Sequence, residues 1–543
     1  MFLPLDTLAR AGLVVSLAAA PALAGDYFVD ASGGSDGAGG TSPADAWRTL
    51  THALATVPAP AGLELHTIHL APGVYDAANG ESYPLEMRPR ISVVGDGAPE
   101  AVVLRGGGSG ALLQFTSLQS GLGESFDEDT RIVGLTLASA GNGVGLYTNW
   151  GTLAPLLADL VVRRMSGAGI AAAGGDFGAA GPFDLRLLRV RIEDCAVGVS
   201  ATKYGEGGSS YVRMSDCVVA QGSGDGVELY NVSDGGRLFL EGLRTVVHDR
   251  GGDGVNVRYT NGSFVYVDLD LCELRDCADD GYEVVPDTGI GYEVRTRLRH
   301  CTVVNNADVG VSITAAGGAS ASHPTELDST ILWGNGDDLL DDSPPWASVV
   351  ACDIGDGDHL GESRTFSADP LFLAPEVGDL RLAFGSPCID RGAPLTDLPG
   401  GEPSLGGVAP PVDGDLDLEK RWDVGAREFA PLTLAGEAVP GGALRLAVFG
   451  RAGGAALVFA SRRPLTPSPL LLPEGEWWLG SAGFPYRSVR TDPTSPQQLT
   501  LLLPNDAALV GSSLSFQAEV RAPDGAATGS VLTNPVSVVI LAP

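Results

Sequence analysis

Asp225, Asp253 and Asp280 stand 28 and 27 residues apart, each directly before a glycine. Two residues beyond that glycine come Glu228, Asn256 and Glu283. If equivalent residues occupy successive rungs of a stacked sheet, the three aspartates form a column with a spacing of about 4.8 Å. Like charges that close repel by about 1 kcal/mol in water, and by more when partly buried. Oxygens held at this spacing suit Ca2+, which takes about six to eight oxygen ligands. Calcium is therefore the cofactor to look for, with Asp225, Asp253 and Asp280 as its metal ligands. The competing explanation is that Asp simply suits the corner before a glycine, where its side chain bonds to backbone. Glu228 and Glu283 flank the column, and Tyr230 and Tyr259 follow corresponding strands. Ring faces beside carboxylates suit a sugar ligand, so these four are candidate substrate-binding residues. For the tyrosines the alternative is packing between turns. A second acidic run, Asp413, Asp415 and Asp417 in DGDLDLE, alternates like a calcium loop but lacks the later ligands of an EF-hand. A plain solvated loop explains it equally well.

What must position these residues is a repeat. A phrase closing on glycine and followed by apolar-x-apolar recurs at Gly143, Gly169, Gly198, Gly226, Gly254, Gly281 and Gly310, with spacings of 26, 29, 28, 28, 27 and 29 residues. A steady period in this range marks a stacked repeat protein. The residues at Gly+1 and Gly+3, such as Val227 and Leu229 or Val255 and Val257, give period two, the mark of a strand with one face inward. No repeat holds a window long enough for an amphipathic helix. The leucine and asparagine framework of leucine-rich repeats is missing. Short strands, Gly-rich turns and one circuit of chain per repeat predict an all-β, right-handed parallel β-helix. The marker glycines are expected at tight corners needing φ > 0.

The chain has 543 residues, 44% of them hydrophobic, which is ample for a large core and two or three domains. Its formal charge of −33 argues against nucleic acid and anionic membranes as partners. A polyanionic glycan would need a bridging cation or a local arginine patch. Lys203 and Lys420 are the only lysines. At the N-terminus, Arg10 precedes the apolar stretch AGLVVSLAAA, and Ala22-Leu23-Ala24 offers small residues for cleavage. Residues 1–24 thus read as a secretory signal, and the protein is expected to be secreted or held at the cell surface. No later run is long enough to span a bilayer. Cys217, Cys272 and Cys301 each lie nine residues before a marker glycine and should stack on one inward column. Seven cysteines leave at least one unpaired within the chain, and Cys352 with Cys388 is the disulfide candidate, since export permits one.

Residues 26–105 contain DYFVDASGGSDGAGGTSPADAWRTLTHALATV, then LHTIHLAPGVYD and YPLEMRPRISVVGDG. A short helix is expected from near Ser42-Pro43, with Trp47, Leu50, Ala53 and Leu54 on one face. Residues 331–430 contain ILWGNG, ADPLFLAPEVGDLRLAFGSPCIDRG and DGDLDLEKRWDVGAREF. Both segments resemble exported bacterial right-handed parallel β-helix repeat proteins of the pectate-lyase-like superfamily. The resemblance implies that the helix caps the open end of the stack, where unpaired edges and apolar side chains would otherwise be exposed. It is specific for architecture and nearly silent on activity. The expected domains are a β-helix over 25–430, with its cap and closing segment, and a C-terminal β-sandwich over 431–543, where alternating strands are broken by Pro and Gly turns.

The resemblance also frames the candidate chemistry. Calcium-dependent lyases of this superfamily remove a proton beside a uronic carboxylate with a Lys or Arg base. Lys203, Arg258 and Arg295 are the candidates here, although no Arg-Pro signature accompanies them and Lys203 also reads as a solvated loop residue. Asp279-Asp280 imitates an aspartate pair of the hydrolases, but their Gly-His-Gly and Arg-x-Lys motifs do not occur. A lyase is therefore favoured over a glycoside hydrolase. Two functions remain open. One is a polysaccharide-interacting protein, as a lyase or other carbohydrate-active enzyme. The other is a non-catalytic structural or adhesion protein that uses the solenoid as a rigid scaffold. A monomer is expected, with polysaccharide or another cell-surface component as its partner.

Overall fold

The computed structural model describes residues 25–542 except 61–63, 118–125, 149–150, 175–181, 261, 287–292, 315–322, 342–346, 396–403, 406–411, 413, 415–419, 451–453, 467–468, 473–474, 492–495 and 522–529. The segment 1–24 expected to be a secretory signal, and Asp413, Asp415 and Asp417, lie outside the described residues. Contacts divide the chain into two compact units at Ser367/Ala368.

The first unit is a parallel β-helix. Among the described residues its strands form three parallel sheets of twelve, eleven and ten strands. One circuit shows the rule. Ser209–Ser215 lies in the twelve-stranded sheet, Val218–Gly222 in the eleven-stranded sheet and Val227–Asn231 in the ten-stranded sheet. The chain then returns as Arg237–Leu243, beside where it started. Inward columns are apolar on every rung. Val199, Val227, Val255, Tyr282 and Val311 are all at most 1% exposed. Contiguous burial of this kind, rung after rung, supplies most of the driving force for folding.

The marker glycines have a different reason from the one expected. None has φ in the left-handed region. They begin the strands of the ten-stranded sheet, where the backbones of neighbouring coils crowd together. A Cβ at Gly198 would lie 2.3 Å from both the Gly226 carbonyl oxygen and Val219 Cγ1. At Gly226 it would lie 2.2 Å from Val247 Cγ1 and 2.5 Å from the Gly254 oxygen. Each glycine thus makes room for the next, and the column is self-consistent. The left-handed corners fall elsewhere, on residues with side chains. Asp216, Arg244, Leu271 and His300, with φ of 48–57°, turn the chain from the twelve-stranded to the eleven-stranded sheet. Leucine and arginine tolerate this region poorly, so the stack, not local preference, imposes the corner.

Cys217, Cys272 and Cys301 do share one inward column, with Thr245 on the rung between the first two. Cys352 continues it beyond Thr330. The Cys352 sulfur accepts Thr330 N–H at 3.5 Å and donates to the Val350 carbonyl at 3.3 Å. The expected Cys352–Cys388 disulfide is not formed, and both residues are buried thiols. Cys352 is committed to the interior of the last coil.

At the N-terminal end the helix is Leu50–Thr56, burying Leu50, Ala53 and Leu54. Buried Trp47 precedes it, in a bridge with Val29. The Glu81 carboxylate accepts the Leu50 and Thr51 N–H groups at 2.6 and 2.9 Å, satisfying two of the helix's orphan donors. In the second unit, Leu432–Gly436, Ala443–Val448 and Gln497–Leu502 form one antiparallel sheet. Phe484–Arg490, Ala455–Ser461, Ser513–Arg521, Ser530–Leu532 and Val536–Val539 form another. Leu446, Val448, Val458, Phe516 and Val520 from both sheets share one buried cluster, as in a sandwich. Among the described residues no helix is long and apolar enough to cross a membrane.

The glycine column makes a direct prediction. Gly198→Ala should destabilise the protein by about 2–3 kcal/mol or more, because backbone and core must both move. Gly107→Ala, where an added Cβ meets nothing within 4 Å, should be nearly neutral. Urea unfolding of the two variants gives the comparison.

Candidate functional site

The outer face of the ten-stranded sheet gathers most of the candidate residues. Strand register places Ser200, Glu228, Asn256, Glu283 and Ser312 in one outward row. Two residues further along, Thr202, Tyr230, Arg258 and Val285 form a parallel row. Ser200 Oγ donates to Glu228 Oε2 at 3.1 Å. The Arg258 guanidinium lies over the Tyr230 ring, 5.1 Å from its centroid, a cation–π contact.

The aspartate column runs along the strand starts beside this face. Asp225 Oδ1 accepts the Asp253 N–H at 3.0 Å, Asp253 Oδ1 accepts the Asp280 N–H at 2.9 Å, and Asp280 Oδ1 accepts the Val309 N–H at 2.7 Å. Asn142 does the same for Ala168 at 2.8 Å. One oxygen of each acid is thus used to join its coil to the next. In Asp253 the other oxygen meets the outward row. Asn256 Nδ2 donates to Asp253 Oδ2 and, at 3.0 Å, to Glu283 Oε2. Asn256 Oδ1 is buried with no hydrogen-bond partner. Carboxylate oxygens of Asp253, Asp280 and Glu283 all lie within 4.8 Å of one another.

Asp253 and Asp280 are buried and Glu283 is half-buried, and crowded, desolvated carboxylates resist ionisation. Burial, with the charges of Asp253, Asp279 and Asp308 behind it, pushes Asp280 up to about 6. Burial, then the charge of Asp253 and a hydrogen bond to it, pushes Glu283 up to about 8. Near neutral pH, Glu283 therefore keeps its proton. Burial also raises Asp225.

Three expectations fail in placement. Lys203 is not a loop residue: it is wholly buried on the inward side of its strand, with Nζ donating to the Tyr204 carbonyl at 2.6 Å. Burial lowers its pKa, but it does not face the acidic site. Tyr259 pairs in register with Asn231, not Tyr230, and so points inward, 2% exposed, its hydroxyl 2.7 Å from His323 Nε2. It lies under the sheet and cannot line its outer face. Arg295 belongs to the twelve-stranded sheet and pairs with Glu326 at 3.6 Å. Of the three candidate bases, only Arg258 shares a face with the acids.

The sequence reading missed Arg250. It is 2% exposed, and its guanidinium donates to the carbonyls of Gln221, Gly224, Asp225, Cys195 and Ala196 at 2.6–3.1 Å. It stitches together the turns that carry the acidic column. The signal was Gly222 one rung earlier, whose missing side chain leaves the space, since a Cβ there would sit 2.3 Å from Arg250 Nη1. A further acidic group, Asp337, Asp356 and Asp358, is exposed at the last coils.

Residues 32–149 match a family described as protein of unknown function, DUF1565. The chain is a parallel β-helix repeat protein. No curated protein matches it significantly. Solved structures similar to it include the A-module of mannuronan C-5 epimerase AlgE6 of Azotobacter vinelandii, at 14% identity over 56% of this chain and 91% of that one, with a TM-score of 0.31. The enzymatically active domain of bacteriophage CBA120 tailspike protein 2 is 11% identical over 87% and 72%, TM-score 0.28. The GH136 lacto-N-biosidase of Eubacterium ramulus is 11% identical over 63% and 67%, TM-score 0.30.

The raised Glu283 has a consequence for stability. Its folded pKa of about 8 exceeds the ordinary 4.5, so the native state holds the extra proton. Stability from this group is full below about pH 4.5 and is lost as pH rises to about 8. Discounted for solvent screening, the loss is on the order of 1 kcal/mol. In Glu283→Gln, urea unfolding at about pH 5 and pH 8 should show that part of the slope removed.

Proposed function

We propose that the protein binds polysaccharide along the outer face of the ten-stranded sheet, and that it works outside the cytoplasm. The observation that carries this reading is the pair of outward rows, Ser200–Glu228–Asn256–Glu283 beside Thr202–Tyr230–Arg258. They present hydroxyl, carboxyl and amide groups at one rung spacing of about 4.8 Å, next to a tyrosine ring. A sugar chain lying along the stack would meet a similar polar set at each unit, with the ring taking an apolar sugar face. Similarity to polysaccharide-acting proteins is consistent with this ligand class but carries none of the argument.

The finer reading is a calcium-assisted lyase acting on a uronate polymer. Asp253, Asp280 and Glu283 supply oxygen donors for Ca2+, and a flipped Asn256 amide would add the unpaired Oδ1 while removing the N–H now aimed at the acids. A bound Ca2+ would neutralise a uronate carboxylate that the negative surface would otherwise repel. Arg258, on the same face, is the base candidate for the adjacent carbon-bound proton. The scaffold reading has its own support: the Asp225, Asp253 and Asp280 carboxylates each already bond a neighbouring coil.

Calorimetric titration separates these readings. The lyase reading expects saturable Ca2+ binding, lost in Glu283→Gln, and ultraviolet absorbance from unsaturated products on a uronic-acid polymer, lost in Arg258→Ala. Binding of a glycan without Ca2+ uptake or product supports simple recognition. In either case Tyr230→Ala should weaken glycan affinity by about tenfold, or about 1.4 kcal/mol. A failure to bind any glycan across neutral and acidic polymers leaves the scaffold account.

A further inference from the structure

We infer that Cys272 and Cys301 are a covalent modification site: a disulfide pair that joins two consecutive coils of the β-helix. The register is the first ground. Asp270 pairs with Arg299 and Glu273 with Thr302, so Cys272 and Cys301 face each other across adjacent rungs. The Thr302 N–H donates to the Cys272 carbonyl at 2.9 Å, closing the ladder at this point. Adjacent parallel strands lie about 4.8 Å apart, inside the Cα separation of about 4.4–6.8 Å that a disulfide spans. Both side chains point into the core, 1% and 0% exposed, and both are free thiols in this structure, donating to the Asp270 and Leu269 carbonyls at 3.3 Å.

The other coil cysteines lack this relation. Cys217 is separated from Cys272 by the Thr245 rung, and Cys352 from Cys301 by the Thr330 rung. Two rungs of about 4.8 Å exceed the limit of about 7 Å for a bridge. Cys195 and Cys277 stand apart, with the rungs of Gly222 and Arg250 between them.

The chemistry needs an oxidant, and a small-molecule disulfide such as glutathione disulfide supplies it. One cysteine thiolate attacks the small disulfide, forming a mixed disulfide and releasing one small thiolate. The second cysteine thiolate attacks that mixed disulfide, forming the Cys272–Cys301 bond and releasing the other. Two protein thiols and one small disulfide become one protein disulfide and two small thiols. Because both sulfurs are buried in the native coil, exchange takes place while the chain is folding, and packing then shields the bond. The closed loop is one circuit of the helix, so the bond restrains the unfolded chain, and the two rungs draw slightly together to bring the Cβ atoms within bonding range.

The test is oxidative refolding of the full chain with glutathione disulfide and glutathione, then denaturation and alkylation without reduction. The expected product carries five alkylated cysteines, the seven in the sequence less the two in the bond, and a cross-linked peptide containing Cys272 and Cys301. Its thermal midpoint should lie above that of the reduced protein. Cys217→Ala should keep the cross-link, and Cys272→Ala should lose it. Seven alkylated cysteines in a chain with native circular dichroism would overturn the inference, as would a cross-link that persists in Cys272→Ala. The wild-type count decides the matter even if a variant fails to fold.

Discussion

In-register hydrogen bonding between successive coils is the constraint on which the rest of this structure depends. Each strand N–H finds a carbonyl one rung away, so every side chain meets its equivalents on the rungs before and after at about 4.8 Å. A column is admissible only if its residue type can live beside itself. Valine does so by contact, and glycine does so by leaving space for the next backbone. Asparagine does so by bonding onward: Asn335 Oδ1 accepts both the N–H and the side-chain amide of Asn306. A charged residue has the hardest case. The aspartate column meets it by accepting the next coil's N–H. Arg250 meets it by filling the space at Gly222 and binding five carbonyls.

The repeat was legible in the sequence because those column rules act on residue type. The marker glycines, the apolar positions at Gly+1 and Gly+3 and the inward cysteines all follow from counting. The same count, carried one step further, would have placed Lys203 and Tyr259 correctly. Both stand at Gly+5, so they share the parity of the buried valines, whereas Tyr230 and Arg258 at Gly+4 share that of the outward glutamates. Matching the tyrosines by kind instead of by parity put one of them on the wrong face. A shift of one residue in a strand always exchanges inside for outside.

Other features left no such mark. The left-handed corners at Arg244 and Leu271 occupy residue types that give no turn signal, because the stack enforces the conformation. The role of the marker glycines could not be told from sequence either, since a left-handed corner and a close backbone approach call for the same residue. Arg295 stands two residues further from its marker glycine than its partner Tyr266 does on the rung before, which loosens its link to the marker count. The C-terminal sandwich was readable as alternating strands, yet pairing order there depends on contacts far apart in the chain.

The acidic column shows why an architectural role and a chemical one need not compete. A carboxylate has two oxygens, and in Asp253 the stack uses one while the other faces Asn256 and Glu283. The backbone bond fixes the carboxylate without neutralising it. Neighbouring rungs then hold Asp280 and Glu283 close by, so mutual repulsion becomes a permanent property of the fold, and the burial around it adds to the cost of charge. Burial first and that repulsion second keep a proton on Glu283 near neutral pH; a cation would relieve the repulsion more fully. The strands also prevent the acids from moving apart, so little reorganisation would accompany either event. The regularity that lets the coil stack is thus the same property that keeps a set of unwilling charges together on the face beside Tyr230 and Arg258.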